Sequence, residues 1–382
     1  MAKKIRVAVI YGGKSGEHEV SQVSAASVIR HLDPKRFEPI PVSVDKEGKW
    51  NVGDTQLLEG APRSLPVFAD RPEVFLPPYE VRRAEDAIGP GTTLMTIGEG
   101  GGAYNIDVVF PVIHGTNGED GTIQGLFELA GIPYVGCGVL SSAVGMDKDV
   151  AKRLARDAGI PVVPYICLKG GSYQGSEEKL RERVGRELGF PVFVKPSNAG
   201  SSVGVHKVTE ASALKAAIDD SFRFDTKVLI EKAINAREIE LSALESLDPK
   251  SPPRISIAGE ITPTHEFYSY EAKYVDENGA KLKIPADLTD AQMKQAQDLA
   301  RDVFVALECE GMARVDLFLD KKNGVFYLNE INTIPGFTHI SMYPKLWEAS
   351  GLSYRDLLTE LIDLAIARFE RKKGLVRDFS EI

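Results

Sequence analysis

The pattern of apolar and polar positions near the C-terminal end of the chain predicts a β-hairpin. Residues 313–319 and 325–332 are two mostly apolar runs, and Asn323-Gly324 lies in the turn between them. Side chains alternate between the two faces of a strand, and both faces of this hairpin carry apolar residues. Strands with this pattern are usually buried on both sides, so the hairpin is predicted to lie in a covered sheet.

Four polar side chains occupy one end of this hairpin. A register centred on the turn places Asp316 opposite Glu330 and Arg314 opposite Asn332. Buried charges are costly unless they are paired or bound to a metal. Oxygen ligands without His or Cys suit Mg²⁺, which usually keeps nucleotide phosphates among its other ligands. From the hairpin alone, a magnesium site and a structural arginine–carboxylate network are equally supported.

The same register predicts which apolar side chains share the polar face of the hairpin. Phe318, Phe326 and Leu328 are expected on that face, whereas Tyr327 and Ile331 are expected on the other. The prediction is sensitive, because a slip of one residue would move every side chain to the opposite face.

The loop after the second strand carries a further chemical signal. Pro335-Gly336 predicts a turn directly beyond the polar end of the hairpin. A glycine there brings its backbone N–H close to a reacting group, beside Arg314. This pair of donors suits the oxyanion that forms during acyl transfer.

Two apolar strands near the N-terminus also end in glycine-rich loops. Residues 5–11 lead into a helix predicted from residue 21, but this is not a P-loop, because Ala8 stands where that motif needs glycine. Glu17 suits a substrate amine, although acids near helix N-termini are common for electrostatic reasons alone. His114 ends the second strand, where an anionic substrate and a structural role are both possible readings.

The middle of the chain suits the phosphates of a nucleotide. Lys148 opens a predicted helix, and Lys195 leads from a strand into a loop rich in Gly and Ser, whose N–H groups and hydroxyls could hold phosphates. A solvated lysine and an ordinary hairpin loop are the simpler alternatives.

Two later segments suit the rest of a nucleotide site. Glu231 and Glu238 follow a predicted strand, where a backbone hinge could read adenine and an acid could take ribose hydroxyls. Residues 255–285 are aromatic-rich yet polar, which predicts either a functional lid or a disordered loop.

The rest of the chain adds two structural expectations. Residues 52–102, rich in Pro and Gly, are predicted to form an elaborated surface insertion. Two amphipathic helices, one over residues 289–307 and one capped by Ser353 and Asp356, are predicted to pack on the sheet of the hairpin.

Composition bounds the class of protein. With 382 residues the chain is long enough for two or three domains, and its net charge of -9 argues against a general nucleic-acid binder. The three cysteines are scattered, which favours a reducing cytoplasm. We expect no signal peptide and no membrane span, because the apolar runs are too short.

Eight motifs in order along the chain resemble those of D-alanine–D-alanine ligases, a family of the ATP-grasp superfamily. Their joint occurrence is far more specific than any one of them. The motifs are GGKSGEHEVS (12–21), HGTNGEDGTIQG (114–125), MDK (146–148), VKPSNAGSSVGV (194–205), IEK with a later Glu (230–238), YEAKY (270–274), ARVDLFLD (313–320) and NEINTIPGFTHISMYP (329–344).

The resemblance implies an α/β fold, α+β in part, with the three-domain ATP-grasp architecture. It implies an N-terminal parallel α/β substrate domain at residues 1–146. A central domain at 147–234 and a C-terminal domain at 235–382 clasp ATP, with a lid at about 262–285. It also implies a cytoplasmic homodimer that binds neither nucleic acid nor membrane.

The reaction implied by the resemblance joins two D-alanine molecules to D-alanyl-D-alanine for peptidoglycan precursor synthesis. The first D-alanine carboxylate attacks the γ-phosphate of ATP, and the amine of the second attacks the resulting acyl phosphate. The implied metal is Mg²⁺, as a pair of ions, with Mn²⁺ able to substitute.

Individual residues acquire roles through the same resemblance. The catalytic set is Glu17, Ser201, Tyr274, Arg314 and Gly336, with Ser201 linking Glu17 to the lid residue Tyr274. The set that binds the two D-alanine molecules is Glu17, His114, Arg314, Gly336 and Ser341. The set that binds ATP is Lys148, Lys195, Ser202, Glu231, Lys232, Ala233, Glu238 and Lys273. The metal ligands are Asp316, Glu330 and Asn332.

Three other functions compete with this one. A ligase that joins D-alanine to D-lactate is the nearest, and Tyr274 in YEAKY favours peptide formation over it. The EHEVS segment disfavours another ATP-grasp carboxylate–amine ligase. A non-catalytic nucleotide-binding regulator is expected to have lost some of the polar hairpin residues, all of which are present.

Overall fold

Three β-sheets follow one another along the chain in a computed structural model. The structure describes residues 3–53, 63–79, 81, 91–97, 102–171, 173–263 and 280–376. Within these ranges no helix is long and apolar enough to cross a membrane. The domain boundaries given above stay predictions.

The first sheet has seven strands in the order β6-β5-β4-β3-β2-β1-β7. Its first strand lies between β2 and the edge strand β7 and runs parallel to both, as the apolar runs predict, whereas β3 to β6 are antiparallel. The region 52–102 therefore contributes strands to this sheet, which its weak periodicity does not reveal. The strands are β1 (Ile5–Gly12), β2 (Phe37–Val44), β3 (Trp50–Val52), β4 (Glu73–Phe75), β5 (Thr92–Thr96), β6 (Ala103–Ile106) and β7 (Val108–Pro111), and the helices are α1 (His18–His31), α2 (Thr122–Leu129) and α3 (Val139–Met146).

The second sheet has four antiparallel strands in the order β10-β9-β11-β8. Helices pack on one side of it around an apolar core that includes Val184, Val194 and Ile218. The elements are α4 (Lys148–Asp157), β8 (Tyr165–Lys169), α5 (Glu177–Glu187), β9 (Val192–Pro196), β10 (His206–Val208), α6 (Leu214–Ser221) and β11 (Lys227–Lys232).

The third sheet contains the predicted hairpin and has six strands, in the order β15-β14-β12-β16-β17 with β13 beside β12. Helix α7 covers it through Ala296, Ala300 and Val303, as expected, and begins at a capping box on Thr289. The elements are β12 (Ala236–Leu244), β13 (Arg254–Ile255), β14 (Gly259–Pro263), β15 (Ala280–Lys283), α7 (Asp290–Ala306), β16 (Met312–Asp320) and β17 (Phe326–Asn332).

The last helix packs elsewhere than its sequence suggests. Two helices close the described chain, α8 (Met342–Ala349) and α9 (Tyr354–Lys373), and Ser353 caps α9 as predicted. Leu357, Leu361 and other buried residues of α9 join the core of the first sheet, not that of the hairpin. The prediction was wrong because an apolar stripe shows that a helix is buried but does not identify its partner.

The hairpin register is confirmed at its polar end and differs at its turn end. Asp316 pairs with Glu330 and Arg314 with Asn332, but the register shifts after Asp316, so Leu317 pairs with Leu328. Asn329 is thus the extra residue of a β-bulge.

The bulge reverses the face of the residues before it. Phe326 and Leu328 join the buried core with Leu317, and the half-buried Tyr327 turns to the opposite side, contrary to the predicted alternation. Phe318 stays on the polar face as predicted, because the extra residue of the bulge is on β17 and the alternation along β16 is not interrupted.

Candidate nucleotide and substrate site

A cavity of about 270 Å³ lies between the second and third sheets. Its floor carries charged side chains, and Phe193, Ile234 and Phe318 supply apolar surface. This combination of flat apolar groups and converging charges suits a nucleotide. The charged or hydroxyl-bearing lining residues are Lys148, Lys195, Ser201, Ser202, Glu231, Lys232, Glu238 and Glu330.

One wall of the cavity is basic. Lys148 is the first residue of α4, whose N-terminus is capped by Asp147 through the N–H groups of Asp149 and Val150. The Lys148 Nζ donates to the Ala199 carbonyl oxygen at 2.8 Å and lies 3.3 Å from Glu330 Oε2. These contacts hold the ammonium group at the mouth of the loop that leads to Ser201.

A buried carboxylate positions the second lysine of this wall. Glu231 is 3 % exposed; its Oε1 accepts a hydrogen bond from Lys195 Nζ at 2.9 Å, and its Oε2 forms an ion pair with Lys152 Nζ at 2.8 Å. Burial opposes a charge on Glu231, but the two lysines outweigh it and lower the pKa of Glu231. Lys195 is therefore held in a fixed place while it keeps other donors for a phosphate.

The opposite wall is acidic and belongs to the third sheet, where Glu238 and Glu330 line the larger cavity. Arg314 lines a smaller cavity beside it, and Asp316 and Glu240 are its ion-pair partners. Arg314 donates Nε and Nη2 to the two oxygens of Asp316, each at 2.7 Å, and its Nε lies 3.1 Å from Glu240 Oε2. The register explains this cluster, because Glu240 pairs with Asp316 on β12–β16 and Asp316 pairs with Glu330 on β16–β17. A planar fork of this kind fixes the guanidinium plane.

The acidic wall has the donor set that a magnesium ion needs. Asp316, Glu330 and Asn332 offer only oxygen ligands from adjacent strands. The hydrogen-bond network assigns the Asn332 amide nitrogen to Glu119 Oε1 and the Ile334 carbonyl, both at 3.2 Å, which leaves the amide oxygen as an acceptor. These residues fit a metal that shares Asp316 with Arg314.

A second, smaller cavity of about 60 Å³ adjoins the first, and both are lined by Lys148, Ser201 and Glu330. Ser201 Oγ donates to the Glu17 carboxylate, although 184 residues separate the two in sequence. Ser201 and Ser202 have φ of 51° and 60°, a left-handed conformation that costs a serine about 1–2 kcal/mol. The contact with Glu17 helps to hold this strained loop over the junction of the cavities.

Bare backbone lets Glu17 sit close to the loop that follows β7. A Cβ atom at Gly115, which has φ of 73°, would lie 2.9 Å from Glu17 Oε2. The glycine is therefore needed both for its positive φ and for space.

Beside Glu17, His114 and Glu119 form a buried pair. The His114 Nδ1 lies 3.6 Å from Glu119 Oε1 and 3.1 Å from the Ile334 carbonyl oxygen. Burial opposes the imidazolium, but the carboxylates of Glu119 and Glu17 raise the pKa of His114. Burial also raises the pKa of Glu119. The imidazole edge is thus biased toward positive charge, which suits an anionic substrate group.

Gly336 and Ser341 lie together beyond β17. Ser341 Oγ accepts the Thr338 N–H at 2.9 Å and contacts Thr338 Oγ1 at 2.8 Å. A Cβ atom at position 336 would lie 2.7 Å from Ser341 Oγ, so any side chain there would crowd the hydroxyl. The Gly336 backbone and the Ser341 hydroxyl therefore lie close together in one short loop.

Eleven of the predicted site residues line the two cavities. His114 and Asp316 line neither but contact the lining residues Glu119 and Arg314, whereas Ala233, Gly336 and Ser341 are absent from both linings. Ala233 donates its N–H to the Pro191 carbonyl oxygen at 3.1 Å, and Ile234, not Ala233, lines the larger cavity. Lys273 and Tyr274 lie outside the described residues, as does most of the predicted lid. The described ends of that segment belong to β14 and β15, whose backbones pair up to Pro263 and Ala280.

Sequence reasoning missed several groups that the structure brings to the site. Glu240 is two residues after Glu238 on the same strand face, so strand periodicity could have found it. Lys152 is four residues after Lys148 on one helix face. Glu119 and Phe193 gave no comparable signal, since one lies in an irregular loop and the other in an ordinary apolar strand.

Two family models cover most of the chain. The model described as "D-ala D-ala ligase N-terminus" matches residues 6–137, and "D-ala D-ala ligase C-terminus" matches residues 154–363. Among curated proteins, a D-alanine--D-alanine ligase A from Bradyrhizobium diazoefficiens is 54% identical over 100% of both chains. A D-alanine--D-alanine ligase from Acetivibrio thermocellus is 48% identical over 97% of this chain and 98% of its own.

Solved structures also resemble this chain over nearly its whole length. The D-alanine-D-alanine ligase from Coxiella burnetii superposes with a TM-score of 0.80 at 35% identity, covering 100% of this chain and 99% of the other. The VanG D-Ala:D-Ser ligase from Enterococcus faecalis superposes with a TM-score of 0.79 at 36% identity, covering 95% and 100%.

Proposed function

This chain belongs to the D-alanine–D-alanine ligase family of ATP-grasp enzymes, and from that premise we propose how its own residues carry out the reaction. The enzyme is an ADP-forming ligase that joins two D-alanine molecules in peptidoglycan precursor synthesis. The observation that carries the residue assignment is the junction of the two cavities, where Lys148, Glu330 and the loop at Ser201 border both.

ATP occupies the larger cavity. Phe193, Ile234 and Phe318 flank the adenine, the 231–233 backbone lies at its edge, and Glu238 takes the ribose. Lys148 and Lys195 hold the phosphates, with Ser202 and Lys232 beside them. Asp316, Glu330 and Asn332 would hold Mg²⁺, which would supply neutralisation of phosphate charge there.

The first D-alanine occupies the smaller cavity. We assign its ammonium group to Glu17, which lines this cavity. We assign its carboxylate to His114, which contacts the lining residue Glu119 and whose pKa is raised by the neighbouring carboxylates. Because the two cavities adjoin at Lys148, the carboxylate oxygen can reach the γ-phosphorus. That oxygen forms a new P–O bond, the bond to the ADP oxygen breaks, and an acyl phosphate results.

The second D-alanine attacks that acyl phosphate. Ser341 holds its carboxylate, and its neutral amine attacks the carbonyl carbon. Arg314, held in plane by Asp316, and the N–H of Gly336 stabilise the oxyanion. The tetrahedral intermediate then expels phosphate and loses a proton, leaving D-alanyl-D-alanine.

We propose a lid in the segment between β14 and β15, because an acyl phosphate must be kept from water. The resemblance assigns γ-phosphate binding to Lys273 and a role beside the Glu17–Ser201 pair to Tyr274, and both residues lie outside the part of the chain that the structure describes. We further propose that the enzyme works as a homodimer in the cytoplasm.

Product identification tests the assignment. Purified enzyme with ATP and Mg²⁺ is offered D-alanine alone, then with D-lactate or D-serine, and phosphate and product masses are measured from pH 6 to 9. We expect D-alanyl-D-alanine with D-alanine alone and little mixed product. A predominance of depsipeptide or of D-alanyl-D-serine at neutral pH would refute the acceptor assignment, and no phosphate release would refute catalysis.

A further inference from the structure

Lys152 is a buried lysine that the reaction described above does not use. Its side chain is 1 % exposed, and it projects from α4 one helical turn after Lys148. Its Nζ lies 2.8 Å from Glu231 Oε2 and donates to the Leu328 carbonyl oxygen at 3.2 Å. A fully buried ammonium group is rare and costly, so a residue of this kind needs a reason.

The contacts of Lys152 connect the two sheets that form the ATP cavity. Glu231 is on β11 of the second sheet, whereas Leu328 is on β17 of the third. Leu328 directly precedes the bulged Asn329, which sets the orientation of Glu330. One ammonium group thus joins helix α4, the strand that positions Lys195 and the strand that carries a metal ligand.

Charge arithmetic at Glu231 gives Lys152 a specific task. One carboxylate oxygen receives Lys195 and the other receives Lys152, so the trio carries a net charge of +1. Without Lys152, both oxygens of Glu231 would be available to Lys195, and the net charge of the group would fall to zero. Lys195 would then be drawn into a full ion pair and away from a phosphate.

We propose that Lys152 is a positioning residue for nucleotide binding, which shares Glu231 with Lys195 and thereby keeps Lys195 available to the phosphates of ATP. This inference rests on the proposed function of the larger cavity. It differs from a packing role, because it depends on the charge of Lys152 and on the presence of Glu231.

The test measures binding of magnesium adenylyl imidodiphosphate by calorimetry, together with KM for ATP and for D-alanine. Lys152→Met keeps the volume and removes the charge. We expect about 10- to 100-fold weaker nucleotide binding, in line with other supporting contacts at a polar site, and a KM for D-alanine within about 2-fold of wild type. Lys152→Arg, which keeps the charge, should restore part of the affinity.

The decisive variant is the double substitution Lys152→Met with Glu231→Gln. It restores the net charge of +1 and frees Lys195, so it should bind the analogue more tightly than Lys152→Met alone, a non-additive result. It also removes the two most deeply buried charges together, Lys152 at 1 % exposure and Glu231 at 3 %, and leaves only Lys195, which lines the cavity. The test therefore stays open if the single variant does not fold. A packing role predicts the opposite order, because a second buried substitution would only add damage.

The matched control is Arg153→Met on the same helix. Its side chain is 56 % exposed and forms an ion pair with Asp149 at 3.2 Å, so nucleotide affinity should stay within about 2-fold of wild type. Wild-type nucleotide affinity in Lys152→Met, or a double variant that binds the analogue more weakly than Lys152→Met does, would overturn this inference but not the proposed function. A wild-type enzyme that does not bind the analogue would overturn the proposed function as well.

Discussion

The two walls of the larger cavity, which we propose binds ATP, carry opposite excess charges. The wall built from α4, β9 and β11 presents ammonium groups, and a single buried carboxylate, Glu231, balances two of them. The wall built from β12, β16 and β17 presents carboxylates, and a single guanidinium, Arg314, bridges two of them. Each wall is thus left with an excess of one sign.

The difference between the walls identifies the ligand that fits between them. Phosphates suit the basic wall, and a divalent cation suits the acidic wall, so a metal–nucleotide complex complements both at once. Neither wall alone would distinguish a phosphate site from a structural ion-pair network. The comparison also predicts that damage to the two walls will differ in kind, since one carries binding and the other carries chemistry.

The largest effect is expected on the acidic wall. Arg314→Ala removes the guanidinium proposed to stabilise the oxyanion, and kcat should fall about 10³-fold, as for the loss of one oxyanion donor. Asp316→Ala should likewise remove most turnover, because it releases Arg314 from its ion pair and deletes a proposed metal ligand. Both variants should keep a wild-type circular dichroism spectrum, and near-wild-type turnover in either would contradict the role.

A matched control for that prediction is Arg301→Ala. Arg301 is a partly exposed arginine on α7 that donates to Asp298 at 2.9 Å, remote from either cavity's lining. Its loss should change kcat less than about 2-fold, since exposed pairs of this kind contribute little.

A smaller effect, on binding more than on chemistry, is expected for the basic wall. Lys195→Met should raise KM for ATP by about 10²-fold, with a smaller fall in kcat, because a buried charge-assisted contact to phosphate is lost. Steady-state kinetics with ATP varied at saturating D-alanine measures the split. A pure kcat effect at unchanged KM would place Lys195 in the chemical step instead.

A further effect is expected at the smaller cavity, where Glu17 contacts Ser201 and where we propose that the first D-alanine binds. Glu17→Gln removes the partner of the substrate ammonium and should raise KM for D-alanine at the first site about 10- to 100-fold. Ser201→Ala should cost less, about 3- to 10-fold, because Glu17 keeps its charge. An equal loss in both would mean that the strained loop, not the carboxylate charge, carries the effect.

The smallest expected effect concerns the stability of α4. Burial opposes ionisation of Asp147, but hydrogen bonds from Lys227 at 2.5 Å and from Ser197 lower the pKa of Asp147. Because the folded pKa is lowered, the contribution to stability is present above the ordinary pKa and is lost as pH falls through the lowered value.

Asp147→Asn isolates that charge, since asparagine is an equally good helix cap. It should reduce the free energy of unfolding by about 0.5–1 kcal/mol at pH 7, a value already discounted for partial exposure of the pair. Urea titrations at pH 7 and pH 3 measure it. The difference from wild type should shrink at low pH, and a difference that grows there would contradict the sign.

Local chemistry made the polar end of the hairpin predictable, and non-local geometry made the rest unpredictable. Strand alternation and the Asn-Gly turn were sufficient to pair Asp316 with Glu330. The bulge at Asn329 could not be predicted, because no residue preference marks it. The predicted faces of Phe326 and Tyr327 were therefore the reverse of those in the structure. The packing of α9 on the first sheet likewise depends on tertiary contacts that a periodic pattern does not encode.

The same division applies to the site. Residues in motifs, such as Glu17 and Ser201, could be named from the resemblance, although their contact spans 184 positions. Lys152 and Glu119 act through other side chains and are recognisable only when their burial and partners are known.

The most direct test of the central claim follows one oxygen atom. D-Alanine labelled with ¹⁸O in both carboxylate positions is turned over with unlabelled ATP, and the inorganic phosphate is analysed by mass. If the carboxylate attacks the γ-phosphorus and the amine then displaces phosphate, each phosphate carries one ¹⁸O atom. Unlabelled phosphate formed in step with dipeptide would contradict the acyl phosphate and the arrangement of the two cavities proposed to make it.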